Sequence, residues 1–249
     1  MKTFRFIGMA LFAILMCVNF AACSSSDDDP TEEPEDGGVV VSDKKIAKVV
    51  SVTEPEGWKE TRTFAYDDKG RLIKSTEIDE FDNQKNTRTY QFIWGDDAIK
   101  CTGDNSYTLS LKNGLAQNSD KDHVYSYNNS NRLAKVKTSY ETTTAIWDGD
   151  KLVSISEDGH DITLTYKESC KKGYFPFTAS LIEGSYDDIF MAHPELVGTR
   201  TTQLPASQTW EDENETATYS YEFDKDGYIS IIKGKSSSGS TQIITLTWQ

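Results

Sequence analysis

Tyr66-Asp67-Asp68-Lys69-Gly70-Arg71-Leu72 is the stretch on which the fold turns. An aromatic residue ends an extended run, a few polar residues reverse the chain, and an aliphatic residue opens the return. Glycine supplies the positive φ that a tight hairpin needs, and aspartate braces the turn through its own backbone. The unit recurs at Trp94 to Ile99, at Leu111-Lys112-Asn113-Gly114-Leu115 and at Tyr127-Asn128-Asn129-Ser130-Asn131-Arg132-Leu133. Two further copies are Trp147-Asp148-Gly149-Asp150-Lys151-Leu152 and Phe223-Asp224-Lys225-Asp226-Gly227-Tyr228-Ile229. Between Trp94 and Trp147 the copies recur at roughly 16 to 20 residues, about one hairpin each.

The flanks of these turns read as strands. Arg88-Thr89-Tyr90-Gln91-Phe92-Ile93-Trp94 puts Arg88, Tyr90, Phe92 and Trp94 on one face, with Thr89, Gln91 and Ile93 on the other. That is the period of a half-buried strand. Thr216 to Phe223 alternates likewise, and Ile243 to Trp248 closes the chain with another run. β-branched and aromatic residues dominate, as a pleated surface favours. The prediction is an all-β, antiparallel meander of roughly 12 to 16 strands curled into an open or partly closed barrel. Residues 46–249 form this single domain.

One region departs from the rhythm. Residues 183–213, with Tyr186-Asp187-Asp188-Ile189-Phe190-Met191-Ala192-His193-Pro194 and then Leu204-Pro205, read as a long connection. It should carry one short helix that stops before Pro194. Ile189, Phe190 and Met191 are suited to plug or cap the open side of a curled sheet.

The N-terminus speaks to compartment. Lys2 and Arg5 precede an apolar run from Phe6 to Phe20, too short to cross a bilayer as a helix. Ala21 and Ala22 then give the small residues of a cleavage site directly before Cys23. Residues 1–22 are therefore expected to be a signal peptide and Cys23 a lipidated N-terminus; an ordinary secretory signal is the alternative. Residues 23–45 are rich in Ser, Asp, Glu, Pro and Gly and have little to bury, so they should form a disordered acidic tether.

Charge narrows the partners, and cysteine count leaves one possible pair. The chain has 26 Lys and Arg against 40 Asp and Glu. Without residues 1–22 the balance is 24 against 40, a field that repels phosphate backbones, so nucleic acid is not expected as a partner. Cys101 and Cys170 are the two cysteines left within the domain and are open to pairing in an oxidising compartment. A membrane-spanning barrel is not expected: most runs are too short, and Arg, Lys and Glu enter both faces.

Cys23-Ser24-Ser25-Ser26-Asp27-Asp28-Asp29 resembles the acidic export tag of Bacteroidetes surface lipoproteins. The Tyr66 copy resembles, at Tyr66, Asp67, Gly70, Arg71 and Leu72, the Tyr-Asp repeat of Rhs-type shell proteins. In overall plan, Phe20-Ala21-Ala22-Cys23, the acidic tether and some 200 residues of hairpins resemble an uncharacterised Bacteroidetes lipoprotein family with a porin-like β fold. The resemblance implies that fold and an outer-membrane, cell-surface location, and it carries over no catalytic residue.

Motifs of chemistry are missing. There is no Gly-x-Ser-x-Gly, His-Glu-x-x-His, Cys-x-x-Cys or phosphate-binding glycine run. His123, His160 and His193 are scattered along the chain. Asp148 with Asp150, and Asp224 with Asp226, look like pieces of calcium loops without the closing Glu, so no metal or other cofactor is expected. Of the tryptophans, Trp94 and Trp147 hold the strand-end position of the repeat and are expected in the core, whereas Trp58 and Trp210 lie in less regular segments and are the candidates for stacking on a ligand. The expected function is that of a non-catalytic lipoprotein, facing the cell surface or periplasm, that binds an extracellular glycan or protein. A carboxylate-based glycan hydrolase and a purely structural envelope scaffold are the alternatives.

Overall fold

The structure is a computed structural model that describes residues 44–120, 122–183 and 187–249. The signal segment, Cys23 and nearly all of the tether, as well as Tyr186, lie outside the described residues. The strands are β1 (Ile46–Glu54), β2 (Trp58–Tyr66), β3 (Leu72–Phe81), β4 (Gln84–Trp94), β5 (Ala98–Gly103), β6 (Tyr107–Lys112), β7 (Leu115–Ser119) and β8 (Val124–Tyr127). They continue as β9 (Leu133–Lys137), β10 (Thr142–Asp148), β11 (Lys151–Glu157), β12 (His160–Ser169), β13 (Gln203–Trp210), β14 (Glu215–Phe223), β15 (Ile229–Ser236) and β16 (Thr241–Trp248). Every strand pairs antiparallel with its chain neighbours, and β1 pairs with β16. The barrel is thus closed, where the sequence suggested an open or partly closed one. Closure rests on a pairing between the first and last strands, with Val49 opposite Leu246 and Lys45 and Gln249 exchanging two backbone hydrogen bonds of 2.8 Å.

The turns behave as the repeat implies. Asp67 Oδ1 accepts from the backbone N–H of Lys69 and Arg71, at 3.0 and 2.9 Å. Asn128 does the same for Ser130 and Arg132, and Asp224 for Asp226 and Tyr228. All these turns lie at one end of the barrel, the near end, where Lys44 enters and Gln249 leaves.

The repeat also carries an interaction that spacing alone did not disclose. The aromatic residue at or near the end of an even-numbered strand donates its polar tip to a backbone carbonyl at the start of the preceding odd-numbered strand. Tyr66 reaches Ile46 at 2.9 Å, Trp94 reaches Leu72 at 2.7 Å and Trp147 reaches Leu133 at 2.8 Å. Tyr127, Tyr166, Tyr221 and Trp248 repeat the pattern onto Ala116, Leu152, Pro205 and Ile229. Such aromatics bury a large apolar body while satisfying the one donor they carry inward. Trp94 and Trp147 are therefore core-facing, as expected from their place in the repeat.

Sixteen strands enclose a lumen too wide for their own side chains to fill. The β12–β13 connection, residues 170–202, fills it. Two short helices, α1 (Thr178–Glu183) and α2 (Asp188–Ala192), and a 3-10 turn (Pro194–Val197) lie along it, where one helix was expected. Phe177, Ile182, Ile189, Phe190, Met191 and Val197 are almost fully buried. The helix expected to stop before Pro194 is α2, which ends at Ala192. The irregular segment is shifted from 183–213, because Gln203–Trp210 is a strand. Pro205 is tolerated there because the β12–β13 register shifts on both sides of its partner Tyr166, which removes the ladder position its missing N–H could not fill. Gly198 lets the plug touch the wall: its φ is +61°, and a Cβ there would sit 1.8 Å from the Asn131 carbonyl oxygen.

The outer face has the opposite character. Thr63, Lys74, Thr163, Thr165, Lys167, Thr218, Ser220, Lys233, Lys235, Thr245 and Thr247 all point outward and are exposed or half-exposed. A lysine at mid-bilayer on a barrel's lipid face costs about 2–4 kcal/mol. The exterior is thus mainly hydrophilic, with Ile73, Ile93, Val124 and Ile146 as exposed apolar exceptions, and the interior is buried. Cys101 and Cys170 are both buried and are not bridged to each other, and burial pushes the Cys170 thiol up to about 12.

The plug and the ring of aromatic tips should differ in cost. Phe190→Ala is expected to lower the unfolding free energy by about 3–5 kcal/mol. Trp147→Phe, which strands only the Leu133 carbonyl, should cost about 1 kcal/mol. Denaturant unfolding of the two variants checks both values.

Candidate functional site

The plug does not fill the lumen evenly. Toward the far end, beneath the β5–β6 and β7–β8 turns, it leaves a cavity of about 190 Å³. Its charged wall begins with strand alternation. The inward row of β2 runs Trp58, Glu60, Arg62, Phe64 and Tyr66; that of β3 includes Ser75, Glu77 and Asp79; that of β4 includes Arg88, Tyr90 and Phe92. Register sets Arg62 directly opposite Glu77, and Glu77 opposite Arg88. Opposite charges facing across strands stabilise the pairing.

Arg62 is the hub. Its guanidinium is bonded to Glu60, lies 2.6 Å from Asp188 Oδ1 at the start of α2, and approaches Glu77 at 3.4 Å. Burial works against its charge, but Asp188, Glu60 and Glu77 more than offset that and hold its pKa above the usual value. Arg88 extends the network to Glu77 at 2.5 Å and to Asp79 at 2.9 Å. The Glu60, Glu77 and Asp79 carboxylates lie close enough together to suggest a metal site, with ligand atoms within 4.8 Å of one another. Two guanidiniums already neutralise that trio. Burial nevertheless pushes the Glu77 carboxyl upward, with Glu60 adding to the effect.

The plug completes the site. Asp187 caps α2 by accepting from the Ile189 N–H and also receives the Tyr107 hydroxyl at 2.9 Å. Glu183, the last residue of α1, is buried beside Tyr125; burial first, and then the charge of Asp187, hold its carboxyl well above the usual range. Tyr90, Phe92, Tyr107 and Tyr125 supply aromatic wall, and Asn105, Ser119 and His123 stand at the mouth. The cavity is therefore acidic on its floor and aromatic on its sides.

Trp58 and Trp210 both stand at the far end, Trp58 with the inward row of β2 and Trp210 on the same strand face as the buried Gln208. Neither lines the cavity. Trp58 borders a narrow crevice with Glu60, Arg62, Phe177 and Met191. The histidines are employed differently. His193 accepts from the Leu72 N–H through Nε2 and pairs with Glu195 through Nδ1, His160 meets Asp212 at 2.6 Å on the rim, and His123 belongs to the cavity mouth. Asp224 is occupied by its own turn and Asp226 by Lys44.

Sequence reading missed Arg62, Glu77, Glu183, Asp187 and Asp188. A signal was present: on β2 and β4, charged residues share the parity of the buried aromatic row, which is unusual unless they are paired or lead to water.

Arg62→Met should lower stability by about 3–5 kcal/mol at neutral pH by leaving buried carboxylates without their counter-ion. The deficit should shrink toward acid pH, where such carboxyls are neutral. Glu183→Gln should act in the other direction. A carboxyl raised on folding contributes stability below the ordinary carboxylate range that is lost as pH rises, so the amide variant should be about 1–3 kcal/mol more stable at alkaline pH and equal to the parent in acid. Denaturant midpoints measured across pH test both.

No protein-family model matches the chain, and no curated protein sequence matches it. Among solved structures, the chain is similar to a porin-like protein from Bacteroides uniformis, with a TM-score of 0.65 and 17% identity over 82% of this chain and 98% of that one. It is also similar to a porin-like protein from Bacteroides vulgatus, with a TM-score of 0.55 and 15% identity over 83% of this chain and 99% of that one. At these identities the likeness is one of fold, and the fold is a porin-like, sixteen-stranded closed barrel.

Proposed function

We propose that this chain is a non-catalytic lipoprotein, anchored to the outer membrane through Cys23, whose barrel binds an extracellular ligand at the end away from the anchor. The observation that carries the reading is the polarity of the barrel. The chain enters at the near end through Lys44, the exterior is hydrophilic, and the cavity lies under the turns of the far end. A tether at one end and a receptive lumen at the other suit a module that holds a site out into the medium. The acidic tether supports cell-surface exposure over a periplasmic orientation. Glycans and proteins are the ligand classes that fit this location, with Trp58 and Trp210 available for contact at the rim.

The hydrolase reading draws on one specific observation: burial, and then the charge of Asp187, push the Glu183 carboxyl upward, and a raised acid beside a second carboxyl is the pairing that glycoside hydrolysis uses. Turnover of aryl glycosides, lost in Glu183→Gln, would favour it.

Two measurements test the proposal. Cys23→Ser should shift the protein from the detergent phase to the aqueous phase on phase partitioning. Asn105→Trp, which narrows the mouth, should abolish ligand-observed NMR line broadening of small sugars, amines and peptides without lowering the melting temperature. Equal broadening with the parent and the variant would sink the cavity as the binding site.

A further inference from the structure

We propose that the lumen cavity takes a small organic cation, with an ammonium or guanidinium group seated against Glu183 and Asp188 and walled by tyrosines. The inference rests on reading the cavity as a ligand site and names the chemistry of what enters it.

Charge count is the first argument. Around the cavity and its floor, six carboxyl groups (Glu60, Glu77, Asp79, Glu183, Asp187 and Asp188) face two guanidiniums, those of Arg62 and Arg88, among the described residues. Arg62 and Arg88 are consumed by Glu60, Glu77, Asp79 and one oxygen of Asp188. The surplus of negative charge falls on the plug side.

The second argument is orphaned acceptors. Asp188 and Glu183 are 4% and 8% exposed, both line the cavity, and each keeps one carboxyl oxygen, Oδ2 and Oε1, buried with no hydrogen-bond partner among the described residues. A buried acceptor left unpaired costs about 1–3 kcal/mol. An ammonium or guanidinium group offers several N–H donors to such acceptors. Asp187 is held by the Tyr107 hydroxyl and the α2 cap, so it contributes charge from a fixed position. Burial, and then the charge of Asp187, disfavour the ionised form of Glu183, and a cation beside it would act in the opposite direction.

The third argument separates an organic cation from a metal. Calcium takes six to eight oxygen ligands, whereas four of the thirteen residues lining this cavity are Phe or Tyr. Tyr90, Phe92, Tyr107 and Tyr125 present ring surface, which attracts ammonium and guanidinium groups. A volume of about 190 Å³ equals about six waters at ~30 Å³ each, far more than a bare ion needs. The trio with metal-like spacing, Glu60, Glu77 and Asp79, is filled by its own guanidiniums.

Calorimetry on the mature protein in detergent decides the matter with paired probes: n-butylammonium and butylguanidinium against neutral n-butanol. A single saturable site preferring the cations by about tenfold or more, with that preference lost in Glu183→Gln and in Asp188→Asn while thermal unfolding shows both variants folded, is the expected result. Acetyl-lysine methylamide binding as well as n-butylammonium assigns the natural source to a protein side chain, and much weaker binding assigns it to a free small amine; both support the inference. Equal binding of n-butanol and the cations overturns the cation and leaves the cavity standing as a ligand site. Calcium chloride binding tighter than the amines and displacing them also overturns it. No binding of any probe, with no ligand found for the cavity by NMR, overturns both readings.

Discussion

A ring of sixteen strands cannot close on its own side chains, and most of this molecule follows from that geometric fact. Eight strands make a barrel whose interior residues meet; twice that number leaves a space that must be filled or flooded. Here the filler is a single connection of the chain, and it explains why residues 170–202 hold a dense run of buried aromatic and aliphatic side chains outside any strand. It also explains the cavity. A short pair of helices cannot match a wide lumen everywhere, and where the plug leaves space against β2 to β8, polar side chains line the gap.

The placement of charge follows from the same constraint. The outer wall is wet and chiefly carries Thr, Ser, Lys and Glu; the inner wall is aromatic at the near end and ionic toward the middle. Arg62 is held on three sides by Glu60, Glu77 and Asp188, so it ties wall to plug as well as strand to strand. Buried ion pairs are poor sources of net stability but effective sources of registration, since misplacing one partner leaves a charge unpaired. The network thus sets where α2 docks, and α2 in turn sets where Asp187 and Asp188 face the void.

Much of this was legible in the sequence. Tyr66-Asp67-Asp68-Lys69-Gly70-Arg71-Leu72 and its copies fix both the hairpins and the side of each strand that turns inward, because a positive-φ glycine and an Asx brace need no tertiary partner to declare themselves. The irregular segment, too, stood out through its broken alternation. Closure was not legible, since the pairing of Val49 with Leu246 depends on strand number and tilt rather than on local residues. Helix α1 escaped because six residues buried nearly all round show no amphipathic period. The cavity escaped because Glu60, Arg62, Glu77 and Arg88 read equally well as surface charge until the neighbouring strands are laid side by side.

The pairing of β1 with β16 has a consequence in time as well as in space. A chain delivered from its N-terminus lays down twelve staves, then the filler, then the four staves that seal the vessel over it. Until Thr241–Trp248 arrives, β1 exposes an unpaired edge and the plug has an incomplete seat. Contacts this far apart in sequence form late, because loop-closure entropy must be met before they reward it. The last strand is therefore a checkpoint on the whole assembly: every shorter product of synthesis is an open trough with an adhesive edge, and completion alone turns it into a container.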